Sequence, residues 1–406
     1  MSKLKTNKIF LIVLLGLFLR VFSIIIFGDS QIDKEWGTML YNLENHHMLS
    51  ARSVNGTPVP NLFMPPLYAL FLFVIKTIFI HEGSFLNVIF FIQLLLSLLS
   101  IYLMFLIFLK IFNQKISLIG TFLYAIFPLN IYAVSQISSI TLQMFLINLF
   151  LLYFIKIFNQ TKHTDLIFFS IFSALLILLR GEFFLFVFFS IIFLMIKSKS
   201  FTKYFLSSLL IIILISPYLY RNYTIFNVLT ITKSTGYNLL KGNNPKSKVE
   251  GIRMFGVIHK VVPELKDKLV NLEKKGPIAE HDLKKDQILL DQAVKFIKED
   301  PKKYFNLYIQ KFISFLFVDI NSSYPNYYSF FHLLPKIILS IGTLIGIIMT
   351  ASFRVNLQNY FILFYLLNIS LFSVFFILPR YSLILLPLQL IISLEGYKVL
   401  KRKLFN

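Results

Sequence analysis

Long apolar segments constrain this chain more than any other feature of its sequence. About ten of them have the length that a bilayer requires, and they fall roughly at 9–27, 85–109, 116–134, 140–158, 165–179, 182–196, 204–220, 331–351, 358–378 and 381–397. None alternates apolar and polar residues as the strands of a membrane barrel do. Because lipid offers no hydrogen bonds, each segment must satisfy its own backbone, and the segments therefore predict helices. The expected fold is all-α, a polytopic membrane protein with about ten transmembrane helices.

The composition agrees with this fold class. Apolar residues make up 57% of the chain, and the mean hydropathy of +0.74 is far above that of soluble domains. The net charge of +21 is spread over loop ends, where positive-inside topology accounts for it without nucleic acid. Because cysteine is absent, disulfides and thiolate metal sites are excluded. No small-residue cleavage site follows the first apolar segment, which is interpreted as an uncleaved signal anchor.

Basic residues set the predicted orientation. With both chain ends in the cytoplasm, every basic cluster falls on the inner side of the membrane. These clusters are Lys3/Lys5/Lys8, Lys110/Lys115, Lys156/Lys162, Lys197/Lys199/Lys203, Arg354 and Lys398/Lys401/Arg402/Lys403. Two shorter apolar stretches, 67–80 and 304–318, are then expected to form helices at the outer interface rather than spans.

This topology divides the chain into three predicted parts. Residues 1–220 form an N-terminal transmembrane module that includes a first outer loop at 28–84. Residues 221–330 form a polar segment at the outer face, with an interfacial helix and a charged helix from about Glu280 to Asp300. Residues 331–406 form the C-terminal transmembrane helices.

The first outer loop concentrates acidic residues beside the bilayer. Asp29, Asp33, Glu35 and Glu44 lie there, whereas acids are scarce in the membrane part of the chain. Charged groups next to lipid are costly to hold, so the cluster indicates a functional site. The adjacent histidines at 46–47 point about 100° apart on a helix and are not expected to chelate one metal ion.

Three arginines lie on the face where the positive-inside rule predicts few basic residues. They are Arg180, Arg221 and Arg380, each at the outer end of an apolar segment. The rigid guanidinium fork suits bidentate binding of phosphate. A single arginine of this kind could instead reach lipid headgroups or pair with a neighbour such as Glu182. Three of them beside an acidic loop favour an anionic ligand at the outer leaflet.

The order of several short motifs resembles a known family. After the first span come Pro65-Pro66-Leu67-Tyr68, Arg180-Gly181-Glu182, Pro217-Tyr218-Leu219-Tyr220-Arg221-Asn222-Tyr223, Gly242-Asn243-Asn244-Pro245 and Arg380-Tyr381. This order is similar to that of the bacterial branch of the glycosyltransferase-C (GT-C) superfamily, which is related to protein O-mannosyltransferases and the lipid A aminoarabinose transferase. The resemblance covers nearly the whole chain.

The resemblance implies a membrane glycosyltransferase of the cell envelope. Such an enzyme moves a sugar from a polyprenyl-phosphate donor to a glycan, lipid or protein acceptor on the periplasmic face. Asp33 matches the acid that the family carries in its first outer loop. Trp36 follows one helical turn later, so its ring is expected to line the same cleft. Asp29 and Glu35 are then interpreted as solvated loop charges.

One departure from the family pattern affects the predicted chemistry. Relatives often carry a second acid in the short outer loop after the third span, and residues 135–141 contain none. Either one base acts alone, or Glu44 or Glu82 fills the second role. No cofactor is expected; a divalent cation stays open but is not indicated.

The expected mechanism needs few groups, because a phosphate leaves without being protonated. It requires a base for the acceptor hydroxyl and positive charge at the departing phosphate. Asp33 is assigned as the catalytic base, and Arg180, Arg221 and Arg380 as phosphate ligands, so that attack from the opposite face inverts the anomeric centre. Asn243 belongs to a turn near the acceptor entrance. Lys233 and Lys241 are secondary candidates for the anion site, although the favoured interpretation of both is an ordinary loop charge.

Two other functions stay open at this point. A transporter or flippase of lipid-linked saccharides would also use outer-face arginines, although the chain lacks the internal repeat typical of transporters. A polymerase of lipid-linked saccharides would share the lipid-phosphate donor.

Overall fold

The computed structural model describes residues 3–79, 85–251, 262–319 and 330–405, and within them the fold is all-α. The helices are α1 (Lys3–Phe27), α2 (Lys34–His46), α3 (Leu67–Ile78), α4 (Phe85–Ile111), α5 (Gln114–Ile126), α6 (Pro128–Tyr132), α7 (Ile140–Asn159), α8 (His163–Leu179), α9 (Phe183–Ser198), α10 (Phe201–Phe226), α11 (Thr235–Gly242), α12 (Lys266–Glu273), α13 (His281–Glu299), α14 (Pro301–Leu316), α15 (Phe330–Thr350), α16 (Leu357–Ser373) and α17 (Leu386–Phe405). Short 3-10 helices cover Ala133–Ser135, Pro263–Leu265 and Pro379–Leu385. A small antiparallel hairpin, β1 (Ser53–Val54) and β2 (Thr57–Pro58), pairs Ser53 with Pro58.

The membrane-spanning helices agree with the predicted apolar segments. In the described residues, six helices are long and apolar enough to cross a bilayer, and a seventh span is bent by 55° between Gln114–Ile126 and Pro128–Ser135. Three further predicted spans are found as shorter apolar helices, α8, α9 and α16. The helix α3 has 12 residues, too few to cross a bilayer, as predicted for an interfacial helix.

Two spans form the centre of the bundle. Most of α7 and of the Pro379–Leu404 span is buried, whereas α1, α10 and α15 bury only 22% of their apolar windows. The exposed apolar faces of these outer spans suit contact with lipid. Small residues let α15 and α17 approach closely, because a Cβ on Gly346 would clash with the carbonyl of Ile392.

The break between α5 and α6 has a clear chemical cause. Pro128 has no N–H to donate back to the preceding turn, so carbonyl groups of that turn lose their helical partners. The amide of Asn130 donates to the Tyr124 carbonyl (3.2 Å), and the fully buried Arg20 donates to the Ala125 carbonyl (3.0 Å) and to Ser97 Oγ (2.6 Å). The sequence predicted one continuous span here. The bend instead directs residues 133–139 toward the first loop.

The polar segment packs around an apolar cluster of its own. The predicted charged helix is found as α13, and its buried side chains contact α11 and the residues that precede α12; the cluster comprises Leu240, Val262, Leu265, Leu289, Ala293, Phe296, Tyr304 and Leu307. A Cβ on Gly236 would clash with the backbone of Asp286, so this glycine permits the close contact between α11 and α13.

Several loops meet at one end of the bundle, which we call the loop face. Backbone hydrogen bonds join Asp29 to Ser135 (3.1 Å), Lys233 to Leu62 (2.7 Å) and Ile377 to Val249 (3.0 Å). The first loop, the loop after the bent span, the start of the polar segment and the residues before Arg380 therefore lie together. All the predicted site residues that the structure describes, except Glu44, lie in or beside these loops.

Candidate functional site

A cavity of about 260 Å³ opens at the loop face, and we call it the Asp33 cavity. Its walls come from the first loop, from the loop after the bent span and from the start of the last span. The lining residues are Asp29, Gln31, Asp33, Leu129, Tyr132, Ala133, Gln136, Ile137, Ser138, Ile140, Arg380 and Leu383. The structure thus brings a predicted base, Asp33, and a predicted phosphate ligand, Arg380, to the same cavity.

Asp33 holds the position just before α2. Its backbone has φ −52° and ψ 141°, and its side chain makes no capping bond to the helix. Within the described residues the carboxylate has no hydrogen-bond or ion-pair partner. An exposed, unpaired carboxylate in a cavity remains available to accept a proton.

Asp29 is a member of this site, and its interpretation as a solvated loop charge is wrong. Its Oδ2 accepts a hydrogen bond from the Ile137 N–H (2.7 Å), and its own N–H donates to the Ser135 carbonyl (3.1 Å). Burial raises the pKa of Asp29 most; the bond from Ile137 lowers it, and the nearby charge of Asp33 raises it. The cavity therefore contains two carboxylates although residues 135–141 supply none.

Arg180 lines a second cavity of about 490 Å³, which we call the Arg180 cavity. Its Nε donates to Glu182 Oε1 (2.6 Å), and its Nη1 donates to Gln143 Oε1 (3.5 Å). The cavity is also lined by the polar residues Glu182, Thr230, Thr232, Ser234, Thr235 and Asn238 and by Gly181. Apolar residues line the rest, among them Ile177, Leu185, Ile215, Leu219, Phe372 and Phe376.

Tyr381 connects the two cavities. The Arg180 Cζ lies 5.4 Å from the centroid of its ring, and the Arg380 Cζ lies 5.8 Å from the same centroid. Tyr381 lines the Arg180 cavity, and Arg380, the preceding residue, lines the Asp33 cavity. Two guanidinium groups thus share one aromatic ring at the boundary between a partly apolar cavity and an acidic one.

Arg221 lies apart from both cavities. Its Nη1 donates to the Asn61 carbonyl (2.7 Å) and to Asn222 Oδ1 (2.7 Å), and its Nη2 reaches the Leu49 carbonyl (3.5 Å). These bonds attach the first loop to the end of α10. The structure therefore uses much of this guanidinium to hold the loop.

The expectation that Trp36 lines the cleft beside Asp33 is wrong. The Trp36 ring is buried and packs edge-on against Tyr68, with 4.9 Å between centroids. Because Asp33 precedes the helix, its side chain does not follow the helical periodicity that would place Trp36 on its face. Trp36 instead fixes α2 against α3.

The remaining predicted residues lie elsewhere. Glu44 pairs with Lys76 (3.1 Å) on the contact between α2 and α3. Asn243 is buried, donates to the Val374 carbonyl (2.9 Å) and accepts from Lys311 Nζ (3.0 Å). Glu82 lies outside the described residues.

Glu35 and Lys241 add charge next to Arg380. Burial raises the pKa of Glu35 most and the charge of Asp33 adds to this, while Arg380 and Lys241 oppose it. The pKa of Lys241 is lowered to about 8, mainly by burial and also by the Arg380 charge, while the Glu35 charge opposes both. Glu35 is exposed in the first turn of α2, in agreement with its interpretation as a solvated charge, and its carboxylate also interacts electrostatically with Asp33 and Arg380.

The acidic side chains of the described residues are not arranged to bind a metal ion together. Among the residues that the structure describes, no three histidine, aspartate or glutamate side chains are placed to hold one metal ion. Asp29 and Asp33 offer two carboxylates, and the amide of Gln136 lies in the same wall. Gln136 Nε2 donates to the Phe27 carbonyl (3.1 Å), which fixes this side chain at the end of α1.

Comparison with known proteins identifies the fold. Residues 64–220 match the family model described as dolichyl-phosphate-mannose-protein mannosyltransferase. No curated protein sequence matches the chain.

Solved structures of an archaeal oligosaccharyltransferase have the same fold. The Archaeoglobus fulgidus oligosaccharyltransferase tethered to an acceptor peptide matches with a TM-score of 0.57 at 14% identity, covering 100% of this chain and 50% of that one. The same organism's oligosaccharyltransferase AglB, in complex with an inhibitory peptide and a dolichol-phosphate, matches with a TM-score of 0.56 at 14% identity, over 99% and 51% of the two chains. The chain thus spans about half the length of these proteins. The resemblance seen in the sequence motifs is confirmed at the level of the fold.

Proposed function

We propose, from the premise that this chain has the fold of the GT-C superfamily, that it is a membrane glycosyltransferase. It transfers a sugar from a polyprenyl-phosphate donor to an acceptor hydroxyl, at the periplasmic face of a bacterial inner membrane and with inversion of the anomeric centre. One observation carries the proposal: Asp33 and Arg380 line one cavity, and Tyr381 joins that cavity to the one that contains Arg180.

The Arg180 cavity has the character needed for a lipid phosphate. Its apolar wall suits isoprenoid carbon, and its guanidinium suits a phosphate oxygen. Both guanidinium groups beside Tyr381 lie where a phosphate at the cavity boundary would meet them. The matched family model names a dolichyl-phosphate sugar, and one of the matching structures contains a dolichol-phosphate, which supports the same class of donor here.

The chemistry follows from this arrangement. The oxygen of the acceptor hydroxyl attacks the anomeric carbon, the bond from that carbon to the phosphate oxygen breaks, and the phosphate leaves with the electron pair. Asp33 accepts the hydroxyl proton, and Arg380 and Arg180 stabilise the negative charge on the phosphate. Asp29 holds the opposite wall through Ile137 and does not itself take the proton. Arg221, which holds the first loop, has no part in this step.

The proposed side of the membrane comes from the charge distribution. The loop face contains the acids and the arginines, whereas the clusters of lysine at 110–115, 197–203 and 398–403 lie at the other ends of the spans. Positive-inside topology then places the loop face in the periplasm.

The test is a transfer assay in native membranes. Membranes that contain wild type or Asp33→Asn are supplied with labelled sugar, either as the polyprenyl-phosphate form or as the sugar nucleotide. We expect transfer only from the lipid-linked form, and an Asp33→Asn loss of about a hundredfold or more, because a general base is removed at constant size. Glu44→Gln is the matched control, since Glu44 is in the same loop but pairs with Lys76.

Two results would contradict the proposal. Equal transfer by wild type and Asp33→Asn would exclude Asp33 as the base. Movement of the lipid-linked sugar across the membrane without any transfer would instead identify a flippase.

A further inference from the structure

A third cavity, which we call the Lys285 cavity, lies between the first loop and the polar segment. Its volume is about 200 Å³, below the ~300–1,000 Å³ usual for sites of drug-sized ligands. The residues that line it are Glu35, Ala51, Arg52, Phe63, Tyr237, Asp282, Lys285, Asp286 and Leu289. It therefore has room for one small unit of a larger ligand.

One face of α13 forms the floor of this cavity. Asp282, Lys285, Asp286 and Leu289 follow the i, i+3, i+4, i+7 spacing of a helix face. Asp282 has a structural role, because it pairs with Arg52 and its Oδ2 accepts the Leu62 N–H (2.9 Å). These contacts close the cavity from the side of the first loop.

Some polar atoms around the cavity have no partner among the described residues. Asp286 is 3% exposed; its Oδ1 accepts the Tyr237 N–H (2.9 Å), and its Oδ2 has no partner. Within the described residues, Lys285 Nζ and the Glu35 carboxylate also make no hydrogen bond or ion pair. Buried polar atoms are normally hydrogen-bonded, so the unpartnered Oδ2 of the buried Asp286 indicates a ligand. The partly buried Lys285 and the exposed Glu35 line the same cavity and add a charged donor and a charged acceptor.

The pKa of Lys285 is consistent with this view. Its pKa is lowered to about 8, mainly by burial and also by the Arg52 charge, while the Glu273 charge opposes both. The ammonium group is thus partly desolvated, and the nearby charge of Glu273 offsets only part of the cost.

An aromatic wall completes the cavity. The rings of Phe63 and Tyr237 meet edge to face, with 4.7 Å between centroids. The Tyr237 backbone is fixed by its bond to Asp286, and Gly236 permits that contact. Carboxylate acceptors, an ammonium donor and a rigid aromatic wall together match a sugar ring, whose hydroxyl groups donate and accept while its C–H face packs on aromatic carbon.

Other ligand classes fit less well. A phosphate would enter a cavity whose three carboxylates outnumber its two cations, Arg52 and Lys285, so the net charge disfavours it. A polypeptide is usually bound along an exposed strand edge or in an extended groove, rather than in a small cavity of about 200 Å³ lined by four chain segments.

The cavity lies next to the proposed catalytic centre. Glu35, on its wall, follows Asp33 by two residues and is electrostatically coupled to Asp33 and Arg380. We propose that the Lys285 cavity binds a sugar unit of the acceptor, so that the acceptor is a glycan. This inference rests on the proposed function, because only a transferase has an acceptor. An acceptor sugar held there would present a neighbouring hydroxyl group toward Asp33.

The direct test is binding of simple sugars to the purified full chain in detergent. The probes are methyl hexopyranosides, observed by saturation-transfer NMR, with a serine- and threonine-containing peptide pool as the comparison. We expect wild type to bind at least one glycoside, and Lys285→Gln and Asp286→Asn each to weaken it by about tenfold, because each removes a charged hydrogen-bonding group. Lys284→Gln and Asp291→Asn are matched controls on the same helix, where Lys284 pairs with Glu280 and Asp291 accepts from Gln287.

The outcomes separate this inference from the proposed function. Failure of wild type to bind any glycoside, or equal binding by Asp286→Asn, would overturn the sugar site whatever the transfer assay gives. Binding of the peptide pool alone would identify a protein acceptor and also overturn it. Glycoside binding that depends on Lys285, together with no transfer from a polyprenyl-phosphate sugar, would keep the sugar site and reject the proposed function. If the acceptor is a glycan, the transferred label should also resist digestion by protease. Because Lys285 lies in the acceptor cavity, Lys285→Gln should bind polyprenyl phosphate as wild type does.

Discussion

The guanidinium of Arg180 lies over the ring of Tyr381, with 5.4 Å between Cζ and the ring centroid. The next residue back in the chain, Arg380, reaches the same ring at 5.8 Å. This shared ring places two positive charges at the boundary between the two cavities, although about two hundred residues separate the arginines in sequence. In the proposed mechanism this pair holds the donor phosphate.

The shared ring gives the first prediction. Tyr381→Ala should raise the KM for the polyprenyl-phosphate sugar by about tenfold, because two cation–π contacts worth about 0.5–2 kcal/mol each are lost. Tyr381→Phe keeps the ring and should bind the donor like wild type. Steady-state transfer at varied donor concentration measures both. An equal loss in the two variants would assign the effect to the hydroxyl group instead.

Lys241 predicts a pH dependence of donor binding. Burial and the Arg380 charge lower its pKa to about 8, so its positive charge is present below that pH and is lost as the pH rises through it. If this charge contributes to the anion site, donor binding should weaken above about pH 8 by up to about tenfold. Lys241→Arg, which stays charged, should remove this dependence, and an unchanged profile in that variant would exclude Lys241.

Asp29 is predicted to act by holding a loop. Asp29→Ala leaves the Ile137 N–H without its acceptor, at a cost of about 1–3 kcal/mol, and frees the wall of the Asp33 cavity. We expect it to lower both the melting temperature and the rate of transfer, the latter by about tenfold or more. Asp29→Asn keeps an acceptor oxygen and should retain most of both. A large rate loss in Asp29→Asn without a change in melting temperature would show that the charge itself takes part.

Two glycines of the loop face should respond in opposite ways to alanine. Gly242→Ala places a Cβ against the Phe375 carbonyl and should destabilise the protein by at least about 1–3 kcal/mol. At Gly37, inside α2, the nearest atom to a new Cβ is 3.7 Å away. Gly37→Ala should therefore be neutral or stabilise by up to about 1 kcal/mol through helix propensity. Thermal unfolding in detergent distinguishes the two, and equal melting temperatures would contradict the packing described here.

The sequence predicts the spans of this chain well because apolar length is a strong and local signal. It also singles out Arg180 and Arg380, since basic residues on the loop face depart from the rule that governs the other loops. The bend at Pro128 is not predicted by the sequence, which shows only a proline inside an apolar segment. Its structural effect depends on Arg20, a partner more than one hundred residues away.

The site residues that were misjudged depend on tertiary contacts. The sequence of the first loop alone makes Asp29 look like a solvated charge. Only the tertiary structure shows that residues 135–137 form hydrogen bonds with it. Arg221, like the other two arginines, lies at the outer end of an apolar segment. Its guanidinium, however, donates hydrogen bonds to the carbonyl groups of Asn61 and Leu49. Periodicity placed Trp36 beside Asp33, yet Asp33 precedes the helix and the rule does not extend to it.

The most direct measurement compares donor binding with single-turnover transfer in the purified protein. Asp33→Asn and Arg380→Gln line the same cavity but have different proposed roles. We predict that Asp33→Asn binds polyprenyl phosphate like wild type and loses about a hundredfold or more in the rate of sugar transfer, as expected when a base is removed. Arg380→Gln should lose both binding and transfer. If Asp33→Asn transfers sugar at the wild-type rate, or if Arg380→Gln binds the lipid phosphate unchanged, the assignment of this cavity as the catalytic centre is wrong.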